Sequence, residues 1–142
     1  MWMECLSLLA IIISSYLLYL HYSDSTSFCD IGQGLSCDIV NRGIYSEFPP
    51  NSGIPVSLMG ALTFIFVIII LEIIKRKKKH QKTLSTFIFY LMIISLIFAL
   101  YLVYAELFLI LSICILCVAL DIIIILELLL SYKLRRIFYA KS

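Results

Sequence analysis

The sequence predicts an all-α integral membrane protein: a four-transmembrane-helix bundle with a short amphipathic lid helix in its first outward loop. Of its 142 residues, 63% are hydrophobic and 14% charged, and the mean hydropathy is +1.08, far from the balance of a water-soluble domain. The apolar residues collect in stretches close to the roughly 20 residues that a helix needs to cross a bilayer. Ten of the eleven Lys and Arg fall in "KRKKKHQK" and "YKLRRIFYAKS", and basic segments beside spans stay on the cytoplasmic side.

The first span is expected over residues 2–22. Its acidic start "MWME" and the poor cleavage site "HYSDSTS" argue against a cleaved signal peptide. An outward loop, 23–53, carries Asp24, Asp30, Asp38 and Glu47 against Arg42 alone. Residues 23–27 read as polar linker. Cys29 and Cys37 enclose seven residues including Gly32 and Gly34, a flexible spacing that lets the two thiols meet or part. Asp38 is placed to cap a short helix whose Ile39, Val40, Ile44, Tyr45 and Phe48 gather on one side until Pro49 and Pro50 end it. Too short to cross, this helix is expected on the membrane surface, over the open end of the bundle.

The second span is expected over 54–74, with Pro55 suited to its first turn, and a basic cytoplasmic loop follows over 75–82. Residues 83–131 contain only Glu106, Asp121 and Glu127 as charges. As one straight helix they would extend about 72 Å against a hydrocarbon core of about 30 Å, so they must fold back once. Tyr101 and Tyr104 suit an interfacial belt and place the apex at Glu106, giving spans 83–105 and 107–131 and a cytoplasmic tail, 132–142. Both termini then face the cytoplasm in a single membrane domain. No nucleic-acid partner is expected, because the basic runs flank spans instead of forming a patch on a folded surface.

Topology sorts the five cysteines. Cys5 lies toward the cytoplasmic end and reads as a small apolar filler. The other four belong to the outward half, where disulfides persist. Cys114 and Cys117 are three residues apart and share a helical face; counted from Glu106, Cys114 lies about 12 Å down the span. Two dithiols that exchange form a relay: the mobile pair takes electrons from a partner in water, and the fixed pair passes them to an oxidant dissolved in lipid, such as a quinone. Asp121 follows on the same face. A carboxylate in mid-helix costs roughly 2.5 to 3.5 kcal/mol, so Asp121 is either a functional group beside the thiols or an inner-end residue bonded to a neighbouring helix. Glu72 is expected to pair with Lys75 and Arg76, and Glu127 to lie at the inner boundary. His21 and His80 fall on opposite sides, so no histidine-based triad forms.

Taken together, Cys29 and Cys37 at their spacing, "CDIVNRGIYSEF", "GIPVSLMG" and "CILC" resemble the vitamin K epoxide reductase family of membrane thiol oxidoreductases over residues 27–121. The resemblance implies a bundle around a quinone, with the outward loop and its helix as a lid. It implies that Cys117 reacts with the quinone, that Cys114 is its partner and exchanges with Cys37, and that Cys29 and Cys37 shuttle electrons from a thioredoxin-like protein on the outward side. Val56, Met59, Gly60 and Asp121 are the expected quinone contacts. Two positions depart from the family pattern. Gly43 stands where a Ser or Thr is common, with Ser46 the nearest hydroxyl, and Asp121 stands where animal enzymes carry Tyr. The expected function is electron transfer from partner thiols to a menaquinone, ubiquinone or vitamin K type quinone, supporting disulfide formation. A small chain without a fused thioredoxin domain suits a prokaryotic plasma membrane. The alternatives are a reductase of vitamin K epoxide, or a non-enzymatic structural or zinc-binding four-helix protein. C-x7-C is not a usual zinc spacing, and a structural staple has no need of two adjacent thiols within a span.

Overall fold

A computed structural model describes residues 2–141; Met1 and Ser142, the ends of the expected domain, lie outside them. The helices are α1 (Trp2–Tyr22), α2 (Cys37–Arg42), α3 (Val56–Arg76), α4 (Gln81–Tyr104) and α5 (Ile115–Ala140). Of these, α1, α3, α4 with its continuation to Ile110, and α5 are long and apolar enough to cross a membrane, so the chain is an integral membrane protein. Neither Gly nor Pro interrupts α1, α4 or α5. Their backbone groups are therefore satisfied within each helix, as hydrocarbon requires.

Helix α1 packs on α3 and α5, and α4 packs on α5. The core forms three tiers. At the basic end Met3 meets Val67, Ile70, Ile88 and Met92. The middle holds Ala10, Phe64 and Ile123. At the far end Leu17 and Val40 enclose Cys29, Cys37 and Cys114. Lys75 pairs with Glu4 and with Glu72, the latter at 3.2 Å, while Thr86 and Tyr139 share a hydrogen bond of 3.3 Å. Both ends of the described chain thus sit beside the basic loop.

The last reversal differs from the expected one. Helix α4 does not stop at Glu106 but widens into a π-helix over Ala105–Ile110, which turns Ala105 and Glu106 inward. With no Gly, Pro or Asn available, Leu111 takes the left-handed conformation, φ 57° and ψ 30°, and α5 starts at Ile115 with Cys114 as its N-cap. Cys114 is therefore at the mouth of the span and not about 12 Å into it as the expected start near Glu106 implied. Its burial comes from the loop laid over it.

The short helix also differs in detail. Ser36 caps it, its Oγ accepting from the Ile39 N–H at 3.3 Å, whereas Asp38 accepts from the Ser27 N–H at 3.1 Å. Of the five apolar residues expected on one face, Val40 is buried, while Ile39, Ile44 and Phe48 are exposed and the polar Asn41 and Ser46 point in. The reason lies in hydrogen bonds to carbonyls of α1 and of the segment after it, where the last of them lack helical donors. Asn41 Nδ2 donates to the Leu17 carbonyl at 2.6 Å, and Arg42 donates to the carbonyls of Leu20 at 3.3 Å and Ser25 at 2.7 Å. Polar residues thus seat α2 on α1.

Leu111 is 74% exposed, so replacing it removes little packing. Asn visits the left-handed region more readily, and Leu111→Asn is expected to raise stability by about 1 kcal/mol, read as a higher melting temperature in detergent.

Candidate active site

Cys29 and Cys37 form a disulfide, their Cα atoms 5.8 Å apart. The loop between them closes on Gly32 and Gly34, whose φ values of 141° and 94° are open to glycine and rarely to other residues. The Leu35 N–H donates to the Gly32 carbonyl at 3.2 Å, and the Gly34 carbonyl accepts from the Ile113 N–H at 2.9 Å. Leu35 and Ile113 thereby form a short parallel bridge. The disulfide loop is clipped to the residue just before Cys114.

That clip gathers the sulfurs. Cys29, Cys37 and Cys114 share one buried cluster, with Cys117 packed against it. Cys114 is fully buried and Cys117 half-buried, and both are free thiols. Cys114 Sγ accepts from the Cys117 N–H at 3.3 Å, so the first turn of α5 presents its partial positive charge to this sulfur. Glu106 lies 5% exposed, and its Oε2 accepts from the Cys114 N–H at 3.3 Å.

Beside the sulfurs is a cavity of about 400 Å³ reached by all four long helices and by α2. Val56, Met59, Gly60 and Asp121, singled out by resemblance, all line it, and so do Cys117 and Glu106. Cys114 is buried in the cluster that holds the disulfide, and Cys117 lines the cavity. Ser46 also lines the cavity; its hydroxyl donates to the Gly43 carbonyl at 2.7 Å. Sequence reasoning missed Glu106, Ser14, Ser57 and Asn41, all on the cavity wall. The Ser14 and Ser57 hydroxyls are buried and without a hydrogen-bond partner among the described residues. A Cβ on Gly60 would stand 3.4 Å from Ser14 Oγ, so α1 and α3 meet closely there. Cys5 is exposed on the outer face of α1, apart from this site.

The model of the vitamin K epoxide reductase family matches residues 1–132. The chain belongs to that family. No curated protein matches it. Membership makes it an oxidoreductase of a membrane family that works through cysteines and whose members in general use quinones as electron acceptors. The matched stretch contains the disulfide, both free thiols of α5 and every cavity-lining residue named above.

Glu106→Leu leaves the buried Cys114 N–H without its acceptor and is expected to cost about 1 to 3 kcal/mol. It should also speed maleimide labelling of Cys114. Glu106→Gln, which keeps an acceptor oxygen, should restore most of both, as melting temperature and labelling rate will show.

Proposed function

We propose that this protein oxidises a thioredoxin-like partner and passes the two electrons through its cysteine pairs to a membrane quinone, supporting disulfide-bond formation. One observation carries the reading: Cys114 shares a buried cluster with the Cys29–Cys37 disulfide, while Cys117, three residues on, lines the cavity.

The exchange balances in thiol chemistry. A partner thiolate attacks Cys29, releasing Cys37 as thiolate; the partner's second thiol resolves the mixed disulfide and the partner leaves oxidised. Cys37 then attacks Cys114 of a Cys114–Cys117 disulfide and releases Cys117. Cys29 attacks Cys37 in turn, which restores the Cys29–Cys37 bond and frees Cys114. The dithiol of α5 now holds both electrons, with Cys117 on the cavity wall.

The cavity suits a quinone ring. Its volume of about 400 Å³ falls in the range of roughly 300 to 1,000 Å³ for small-molecule sites, whose walls are mostly apolar with a few placed polar groups. The unpartnered Ser14 and Ser57 hydroxyls would bind ring oxygens, and Val56, Met59 and Gly60 its apolar body. A bound quinone supplies the two-electron acceptor. Glu106, in contact with Cys114 N–H, and Asp121 would accept the thiol protons released within the site. Asp121 in the place of the animal enzymes' Tyr favours a quinone of menaquinone, ubiquinone or vitamin K type over the epoxide as substrate.

In this reading the basic runs and both termini face the cytoplasm of a prokaryotic plasma membrane, and the outward loop with α2 is the lid. Cys117→Ala should lower quinone reduction by more than about a hundredfold, the scale on which losing a nucleophile is felt. Undiminished turnover in that variant would rule the scheme out. Cys29→Ala, which removes the thiol that resolves the mixed disulfide and keeps Cys117, should accumulate a Cys37–Cys114 disulfide, detectable by mass spectrometry of trapped peptides.

A further inference from the structure

We infer that Glu127 is a proton carrier that loads from the basic end of the bundle and feeds the cavity, so that quinone reduction takes its protons from the side opposite the disulfide. The inference rests on the quinone reading above.

Helix α5 lines the cavity with Cys117, Leu120, Asp121 and Ile124. Glu127 follows Ile124 by three residues, so its Cα lies about 4.5 Å further along the axis, just beyond the cavity and toward the basic end. It is 0% exposed. One oxygen accepts from the Ser7 hydroxyl at 2.6 Å, and the other has no partner among the described residues. Ser131, one turn on, is likewise fully buried, its hydroxyl donating to the Leu128 carbonyl at 2.8 Å.

The polar residues continue on α1. Ser7 is fully buried; Glu4, one turn before it, pairs with Lys75 at the basic end; Ser14, two turns after it, lines the cavity. The other charged groups on the packed helices are Asp121 on α5 near the cavity, Lys133, Arg135 and Arg136 toward the basic end of α5, Glu72 and Arg76 beside Lys75 on α3, and Lys82 at the start of α4. None of them forms an ion pair with Glu127 among the described residues. A buried carboxyl inside a span is costly to place and marks a proton or ion path. A hydrogen bond that merely joined α1 to α5 could be made by Gln as well, whereas only a carboxyl can release and regain a proton.

The balance is direct. Each partner dithiol gives two electrons to the cavity, and its two protons, taken from the thiols by Glu106 and Asp121, leave at the disulfide end. The carboxylic acid of Glu127 gives a proton toward the cavity, the carboxylate regains one from the basic end by way of Glu4 and Ser7, and this happens twice for each quinone reduced. Charge is thereby separated across the membrane.

The test uses the full chain in phosphatidylethanolamine and phosphatidylglycerol vesicles, oriented with the basic end inside and a pH-sensitive dye enclosed. With dithiothreitol outside and decyl-ubiquinone added, the interior should turn alkaline in step with quinone reduction. Glu127→Gln, which keeps an acceptor for Ser7, should slow quinone reduction at least about tenfold and remove the alkalinisation, with unchanged melting temperature and unchanged reduction of Cys29–Cys37. Quinone reduction at the wild-type rate in Glu127→Gln, or wild-type turnover with no interior alkalinisation, overturns the inference. A quinone-free arm labels Glu127 with dicyclohexylcarbodiimide, which attacks protonated carboxyls; labelling should fall when the interior pH alone is raised. Labelling that follows the exterior pH, or neither, also overturns it. Wild-type protein that reduces no quinone would instead defeat the quinone reading, and the labelling arm would still decide which side Glu127 exchanges with.

Discussion

A single backbone hydrogen bond, from the Ile113 N–H to the Gly34 carbonyl at 2.9 Å, organises the disulfide end of the molecule. It ties a loop that has left the membrane to the chain about to re-enter it. Because Cys37 and Cys114 lie within a few residues of its two ends, it draws two cysteine pairs distant in sequence into one buried cluster. Gly34 makes the bond possible through its φ of 94°, and Leu111 through the left-handed turn that brings Ile113 back toward the loop. Side-chain bonds from Asn41 and Arg42 to the end of α1 hold the other flank of the same loop.

Around that arrangement the bundle distributes polarity sparingly. Hydrocarbon offers no partners, so a polar side chain inside must find one in the protein or face a cavity. Asn41 finds a carbonyl, Glu106 an amide, and Ser131 a carbonyl of its own helix. Ser14 and Ser57 find none and both line the cavity. These two unsatisfied hydroxyls mark a part of the interior able to receive a ligand's polar atoms.

The membrane fold was legible because lipid demands long uninterrupted apolar runs, and those are visible in composition alone. The last turn was not, since its position depends on one extra residue per π turn and on a leucine in a glycine-like conformation, neither of which has a sequence signature here. For the same reason Glu106 read as a surface apex when it is a buried acceptor. The CILC spacing showed two thiols together; that Cys114 is the buried one and Cys117 the one on the cavity wall goes with Cys114 being a helix cap, a matter of one residue. Ser14 and Ser57 carried no signal, because small hydroxyls are ordinary in membrane helices. Glu127 looked like a boundary residue, as hydropathy records that a charge is present and not which neighbour covers it.

Cys29 is 2% exposed while Phe28 before it and Ile31 two residues after it are 73% and 68% exposed. A reductant arriving from water therefore touches two greasy side chains before it can touch sulfur. In the proposed scheme electron entry would be in this sense a mechanical event: the ribbon over residues 28–36 shifts first, and a protein partner able to grip Phe28 and Ile31 holds the handle.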